Sequence, residues 1–196
     1  SFRHFLVGKG AKTVTSLATL LLLARWLSTP EYAAYIALRA LVEVARILTA
    51  VGATAVLYRY LPELRASGNN RSAYRLLGYG LGIRISAIAL VFLLALPFIP
   101  ELGTQFNLAD WVWLIPWFLV VGGLDFTSHT LSQSLESFLW QREAQYSLAA
   151  GNLVNFSLLL VFLLSGSLSL PNVVLAEAAG HLVAIMLQLY GLYRQW

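Results

Sequence analysis

The chain has 196 residues, of which 59% are hydrophobic and 11% are charged, and its mean hydropathy is +0.72. An ordinary soluble domain carries roughly 25% charged residues, so this composition excludes one and predicts an integral membrane protein. Cysteine is absent, which excludes a disulfide framework, a Cys-based zinc site and a thiol nucleophile, and the placement of the basic residues decides what the net charge of +4 means.

The first patterned segment is GKGAKTVTS, residues 8–16, which comes close to a phosphate-binding loop. A true loop of that kind needs G-x-x-x-x-G-K-[ST] between a strand and a helix. Here Ala11 separates Gly10 from Lys12, and the apolar run 17–24 follows. The segment therefore favours the start of an apolar helix over a nucleotide site.

Apolar runs long enough to cross about 30 Å of hydrocarbon follow one another along the chain. They predict six transmembrane helices, over residues 6–27, 33–58, 76–98, 111–139, 145–165 and 172–193. Turn-forming Pro, Gly, Ser and Asn residues separate the runs, and continuous helices are expected because lipid offers no partner to an unpaired backbone. The predicted fold is all-α and polytopic, with residues 1–196 forming one six-helix unit.

The basic residues outside the helices predict the orientation of this unit. Eight of them fall at the two ends of the sequence and in the second and fourth loops, namely Arg3, Lys9, Arg59, Arg65, Arg71, Arg75, Arg142 and Arg194. Arg25 stands alone on the opposite side. By the positive-inside rule both ends of the chain are cytoplasmic, so the net charge reflects topology and requires no nucleic acid.

Polar and ionisable side chains recur near mid-depth in all six predicted helices. Arg39, Glu43 and Arg46 are spaced by four and three residues and share one face of the second helix. The other helices contribute Lys12, Arg84, Asp125, His129, Gln133, Glu136, Asn152, Asn155, Glu177, His181 and Gln188. Such residues are unfavourable in hydrocarbon, so together they predict a water-accessible central cavity.

The charges predict that this cavity is mildly cationic and takes an anionic or amphiphilic substrate, because Arg forms bidentate hydrogen bonds with phosphate. The predicted substrate-binding residues are Lys12, Arg39, Arg46, Arg84, Asn152 and Asn155. Those predicted to bind a coupling cation or relay a proton are Glu43, Asp125 and His129. Lys9 is placed at the cytoplasmic entrance, and no metal site or cofactor is expected.

Each of these residues also has a purely structural interpretation. Arg39 and Arg46 can pair with Glu43 to fix helix packing, and Arg84 can extend toward the cytoplasmic headgroups. Asn152 and Asn155 can hydrogen-bond neighbouring helices, and Gly78, Gly80 and Gly82 are expected at positions of close helix packing. A catalytic alternative uses Asp125-x-x-x-His129 as the base of a membrane acyltransferase, but no nucleophile accompanies it, so an enzyme is not predicted.

Two stretches of the sequence are similar to a known family of membrane proteins. LLLARWLSTPEYAAYIAL, residues 21–38, and VGATAVLYRYLPELRASGN, residues 51–69, resemble the first two helices of Wzx-type polysaccharide flippases. The matching residues are Arg25, Leu27, Glu31, Tyr32, Gly52, Arg59, Tyr60, Pro62 and Glu63. Ala33 or Ala34 stands where that family usually has Gly, and the later helices match only in hydropathy and loop length.

The resemblance implies a multi-pass transporter of the bacterial inner membrane. It would move an undecaprenyl-diphosphate-linked oligosaccharide from the cytoplasmic to the periplasmic leaflet by alternating access. Members of the family have about twice as many helices, arranged in two lobes, so this sequence resembles the N-terminal lobe. Its implied partners are membrane lipids and a second lobe, another copy of the chain or membrane subunits of polysaccharide synthesis.

Two other functions remain open from the sequence. A cation-coupled multidrug exporter of the same superfamily would share the helices, but an exporter of cationic drugs should carry more acid than base at mid-depth. A non-transporting scaffold subunit of a polysaccharide-synthesis complex would account for the half-length unit. For the scaffold, Arg46→Ala is expected to change assembly without changing lipid binding.

Overall fold

The computed structural model describes residues 2–49 and 52–194, and the side chains of residues 2–9, 11, 12, 53 and 54 lie outside that description. The described residues are helical almost throughout and contain no strand, which confirms the all-α prediction. In chain order the helices are α1 (Phe2–Trp26), α2 (Thr29–Leu48), α3 (Ala53–Ala66), α4 (Asn70–Ala95), α5 (Ile99–Gln105), α6 (Ile115–Ser137), α7 (Gln141–Leu164) and α8 (Leu170–Arg194). Short 3₁₀ turns at Leu96–Phe98 and Ala109–Leu114 flank α5.

Four segments of the described chain are long and apolar enough to cross a membrane. They are Asn70–Gln105, Ala109–Ser137, Gln141–Leu164 and Leu170–Arg194, and Thr13–Trp26 is a shorter apolar helix. Large apolar side chains cover the outer surface, as Ile47 and Leu164 do with 71% and 86% of their area exposed. Extensive exposed apolar surface suits contact with lipid rather than water. The structure therefore has the character of a helical membrane protein, while the six spans and their orientation stay predictions.

The second predicted helix, 33–58, is divided in the structure, so the prediction of one continuous helix was wrong. Helix α2 ends at Leu48, and α3 begins at Ala53 after Gly52, which adopts a left-handed backbone with φ of 69°. Glycine takes this conformation without the steric penalty of a Cβ atom. Irregular backbone at membrane depth is tolerated where it lines a cavity or is buried in protein. The loop predicted between Pro97 and Asn107 likewise contains a short helix, α5.

The start of α2 is fixed by a capping box. The Ser28 hydroxyl accepts from the Glu31 backbone N–H, and the Glu31 carboxylate accepts from the Ser28 N–H. Glu31 also accepts from the backbone N–H of Leu170 at 3.2 Å, which ties α2 to the start of α8. Burial favours the neutral acid, but these hydrogen bonds outweigh it and lower the pKa of Glu31 from its ordinary value of 4.5.

The core consists of two apolar clusters with a polar layer between them. One cluster joins α1, α2, α6, α7 and α8 around residues such as Leu38 and Phe118. The other joins α3, α4, α6, α7 and α8 around residues such as Leu61 and Leu135. Helix α6 runs through both clusters, and its His129 lies between Phe126 of the first cluster and Leu131 of the second, one turn after Asp125. The polar residues predicted near mid-depth therefore lie where the apolar packing is interrupted.

Glycines allow α7 and α8 to cross with their backbones in contact. A Cβ atom on Gly151 would lie 2.5 Å from the Gly180 carbonyl oxygen, and one on Gly180 would lie 2.7 Å from the Gly151 oxygen. Small residues at such crossings are typical of helix packing in membranes. Of the three glycines predicted at close-packing positions, Gly80 is confirmed, with Leu57 at 2.9 Å. Gly78 and Gly82 face open space, so that expectation was wrong for them.

Candidate functional site

Helix α6 supplies the polar groups at the centre of the molecule. Its hydroxyls are largely satisfied within the helix, since Thr130 donates to the Phe126 carbonyl and Ser134 to the Thr130 carbonyl, both at 2.8 Å. A hydroxyl that donates to the preceding turn in this way needs no acceptor on another helix. This leaves Asp125 and His129 as the α6 residues that face a cavity and carry ionisable groups.

Two cavities adjoin α6, and His129 lines both. The Arg39 cavity, of about 430 Å³, lies among α1, α2, α6, α7 and α8. The Arg84 cavity, of about 720 Å³, lies among α2, α3, α4 and α6 beside Gly52. The single central cavity predicted from the sequence is therefore two cavities with different linings.

In the Arg39 cavity, an ion pair joins α2 to α8. The Arg39 Nη2 donates to Glu177 Oε1 at 2.6 Å, and the Tyr35 hydroxyl donates to the same oxygen at 2.9 Å. Arg39 Nε also donates to the Tyr35 oxygen at 3.1 Å. The Glu177 side chain is 1% exposed and that of Arg39 is 37% exposed. The predicted pairing of Arg39 with Glu43 was therefore wrong, and its partner lies on another helix.

A carboxylate between two imidazoles joins α6 to α8 in the same cavity. Asp125 Oδ1 lies 3.7 Å from His129 Nε2 and 3.6 Å from His181 Nδ1. A carboxylate orients a neighbouring imidazole. The structure thus brings together the predicted pair Asp125 and His129, and it adds His181 as a third member from α8.

The described lining of the Arg39 cavity contains both acids and a base. It includes the carboxylates of Asp125 and Glu177 and the guanidinium of Arg39, whereas the side chain of Lys12 on α1 lies outside the description. Two buried acceptors, Glu177 Oε2 and Asn155 Oδ1, have no hydrogen-bond partner among the described residues. Asn155 and Asn152 line the cavity from α7, as predicted, and the expectation of a cationic cavity stays a prediction.

The Arg84 cavity is the cationic one. Its described lining includes Arg46 and Arg84, with Tyr58, His129 and Gln133, and contains no carboxylate. Arg46 is paired with Glu43 outside the lining, so Arg84 supplies the uncompensated positive charge, which attracts an anion. Arg46 and Arg84 are thus the two predicted substrate-binding residues that share a cavity suited to an anion.

Arg84 is buried, with 7% of its surface exposed. Its Nη1 donates to the Thr49 carbonyl oxygen at 2.5 Å, where α2 has just ended, and its guanidinium lies 5.5 Å from the centre of the Phe126 ring. Its Nε has no hydrogen-bond partner. The alternative in which Arg84 extends to the headgroups was therefore wrong.

Glu43 lines neither cavity. Its carboxylate accepts from Arg46 Nε at 2.8 Å, and the two side chains are 58% and 56% exposed. This confirms the predicted pairing of Arg46 with Glu43, but it leaves Glu43 apart from Asp125 and His129, with which it was grouped. The remaining predicted residues, Lys9 and Lys12, have side chains outside the described part of the structure.

The predicted substrate and coupling sites left out three residues that the structure places in the Arg39 cavity. Glu177 and His181 were predicted near mid-depth but were given no role, and Tyr35 was not named. Glu177-x-x-x-His181 repeats the acid and imidazole spacing of Asp125-x-x-x-His129, and this repeat could have identified the second pair. Tyr35 precedes Arg39 by one helical turn. Among the described residues, no group of three or more His, Cys, Asp or Glu side chains is arranged to hold a metal ion.

Comparison with protein families, curated proteins and solved structures gives no significant match to this chain. The fold and the cavities therefore carry the functional argument, together with the sequence resemblance to polysaccharide flippases. What they define is an all-helical protein, with helices suited to a membrane, that encloses polar cavities between its helices.

Proposed function

We propose that this chain is one lobe of a bacterial inner-membrane transporter that flips an undecaprenyl-diphosphate-linked oligosaccharide to the periplasmic leaflet. The observation that supports this most directly is the Arg84 cavity, in which two guanidinium groups face a space with no carboxylate in its lining. Charged groups inside a membrane protein are expensive, so their presence indicates a ligand or a pathway. Guanidinium groups suit a diphosphate because they offer paired donors.

The break between α2 and α3 supports transport rather than static lipid binding. Discontinuous helices form substrate sites in many transporters, because their free backbone groups meet the ligand within the membrane. Here the break at Gly52 lies directly against the cationic cavity. Substrate would therefore contact the chain at the junction of α2 and α3.

The Arg39 cavity would serve the coupling step. The Asp125 carboxylate between His129 and His181 fits uptake of a proton or another cation. In this proposal, cation binding in one cavity and substrate binding in the other are linked through α6, which lines both. Alternating access also needs a second lobe, supplied by further sequence, by another copy of the chain or by a polysaccharide-synthesis subunit.

Native mass spectrometry of the protein released from nanodiscs tests the proposal. Wild type, Arg46→Gln and Arg84→Gln would be compared after loading with undecaprenyl diphosphate, and Arg75→Gln is the matched control. Arg75 lies on the same helix as Arg84, but it is exposed and outside both cavities. We expect wild type and the control to retain the diphosphate lipid. Both cavity variants should bind it about tenfold more weakly or worse, since hydrogen bonds to charged groups are worth about 1.5–3 kcal/mol. Equal retention by all four proteins would contradict the proposal.

A second candidate function is a cation-coupled exporter of small cationic amphiphiles. The observation that favours it is the Arg39 cavity, whose described lining includes the carboxylates of Asp125 and Glu177. Binding of tetraphenylphosphonium that is lost in Asp125→Asn, with no retention of undecaprenyl diphosphate in wild type, would support the exporter over the flippase. A scaffold would instead show assembly defects in Arg46→Ala with lipid binding unchanged.

A further inference from the structure

One edge of the Arg84 guanidinium donates a hydrogen bond to the end of α2, and another edge donates none to the described residues. The Nη1 group donates to the Thr49 carbonyl, whereas Nε is buried with no acceptor. A buried donor without a partner is unusual in a folded protein and calls for an explanation. In a cationic cavity, the simplest explanation is an acceptor that arrives with a ligand.

The bond to Thr49 fixes the end of α2. The last carbonyls of a helix lack partners within it, and here a residue of α4 supplies a partner for one of them. The Thr49 hydroxyl donates to the Ala45 carbonyl at 2.9 Å and so closes the same turn. Gly52 then begins α3 with a positive φ. The Arg84 guanidinium therefore helps to fix the end of α2.

The surroundings of Arg84 hold the group in place without neutralising it. Phe126 packs against the guanidinium at 5.5 Å and interacts favourably with the cation. Arg46 also lines the cavity, but its charge is paired with the Glu43 carboxylate at 2.7 Å. Glu136 accepts from the Tyr58 hydroxyl at 3.4 Å but does not itself line the cavity. The charge of Arg84 thus lacks an anionic partner among the residues that line this cavity.

We propose that Arg84 links anion binding to the order of the α2–α3 break. A phosphoryl oxygen accepts from Nε while Nη1 remains on the Thr49 carbonyl, so one planar guanidinium bridges the ligand and the end of α2. The planar fork of Arg allows this, whereas the single ammonium of Lys offers no two fixed edges. The anion is the diphosphate group of the proposed substrate, so this inference rests on the proposed function. Its consequence is that a bound diphosphate narrows the range of angles between α2 and α3.

Double electron–electron resonance on spin-labelled protein in nanodiscs measures that range directly. The chain has no native cysteine, so Val44→Cys and Tyr60→Cys place one label on α2 and one on α3 at exposed positions. The probes are farnesyl diphosphate and inorganic pyrophosphate, with farnesol as the uncharged control. We expect the distance distribution to narrow with farnesyl diphosphate and to stay unchanged with farnesol. Narrowing with pyrophosphate as well would show that the headgroup alone is sufficient.

Two variants distinguish the proposed effect of the ligand on the α2–α3 angle from ligand binding itself. Arg46→Gln should weaken binding of farnesyl diphosphate but still narrow the distribution at saturation, because Arg84 and Thr49 are intact. Arg84→Lys should weaken binding about tenfold or more and show no narrowing when saturated, since it keeps the charge but loses the fork. Arg75→Gln, outside the cavity, should behave as wild type in both measurements.

The outcomes distinguish a failure of the link from a failure of the proposed function. Wild type that binds farnesyl diphosphate with an unchanged distance distribution would overturn the link while the proposed function stands. Narrowing that persists in Arg84→Lys would also overturn it, because the fork would then be unnecessary. Wild type that binds none of the diphosphate probes would overturn both.

Discussion

Replacing Arg39 by alanine isolates the contribution of the ion pair that joins α2 to α8. Arg39 Nη2 lies 2.6 Å from Glu177 Oε1, and after the substitution the Tyr35 hydroxyl, at 2.9 Å, remains as a donor to that oxygen. The Glu177 side chain is 1% exposed, so its charge would lie buried without a cationic partner. Breaking a buried pair by removing one member costs about 3–5 kcal/mol. Because the Arg39 side chain is 37% exposed, we expect a loss in the free energy of unfolding of about 3 kcal/mol, the lower end of that range.

Arg46→Ala is the matched control, since it removes the same residue type from the same helix. Its pair with Glu43 is more than half exposed on both sides, and such pairs are worth about 0–1 kcal/mol. The double variant Arg39→Met with Glu177→Gln removes both charges of the buried pair. It should recover much of the loss of Arg39→Ala, because no buried charge is left unpaired.

Equilibrium unfolding in mixed micelles, followed by tryptophan fluorescence, gives these free energies. The reasoning would be refuted if Arg39→Ala and Arg46→Ala cost the same, or if the double variant were less stable than Arg39→Ala. Either result would show that the carboxylate of Glu177 is not held by the contact seen in the structure.

Four further predictions concern helix packing, the pKa of one carboxyl group and the backbone. Gly151→Ala should destabilise the protein by roughly 1–3 kcal/mol in the same unfolding assay, because its Cβ would meet the Gly180 carbonyl at 2.5 Å. Gly82→Ala faces open space and should be neutral or stabilising by about 1 kcal/mol. The lowered pKa of Glu31 adds stability above pH 4.5 that is lost as the pH falls through the folded-state pKa, so unfolding measured from pH 6 to pH 3 should show this loss in wild type and a smaller one in Glu31→Gln. Gly52→Ala should cost about 1–2 kcal/mol through its positive φ alone, since nothing lies within 4 Å of the added Cβ, and a loss below 0.3 kcal/mol would contradict the left-handed conformation.

The resemblance to flippases involves residues that have local structural roles in this fold. Glu31 completes the capping box of α2, and Gly52 begins α3 with a positive φ. Pro62 lies inside α3. Glu31 and Gly52 define where helices begin, which explains why the matching stretches contain these residue types. Gly52 also lines the Arg84 cavity, whereas Glu31 and Pro62 line neither cavity.

The sequence by itself determined the all-helical class, most helix boundaries to within a few residues, and the polar layer at mid-depth. These properties follow from hydropathy and turn chemistry, which act over neighbouring residues. Hydropathy and turn chemistry did not predict the interruption of the helix within 33–58. An apolar run does not reveal that Gly52 takes a left-handed conformation, or that Arg84 from another helix binds the end of α2.

Only the tertiary structure decided which charges meet. Glu43 is four residues from Arg39 and was the partner expected from helical spacing, yet Arg39 pairs with Glu177, 138 residues away. The same packing distributes the polar residues of the predicted cavity between one cavity around Asp125 and another around Arg84. Spacing along a helix shows which side chains share a face, but the helix that covers this face is chosen by packing across the whole bundle. Charge pairing at depth follows that choice, because a buried charge is stable only beside the partner that the neighbouring helix presents.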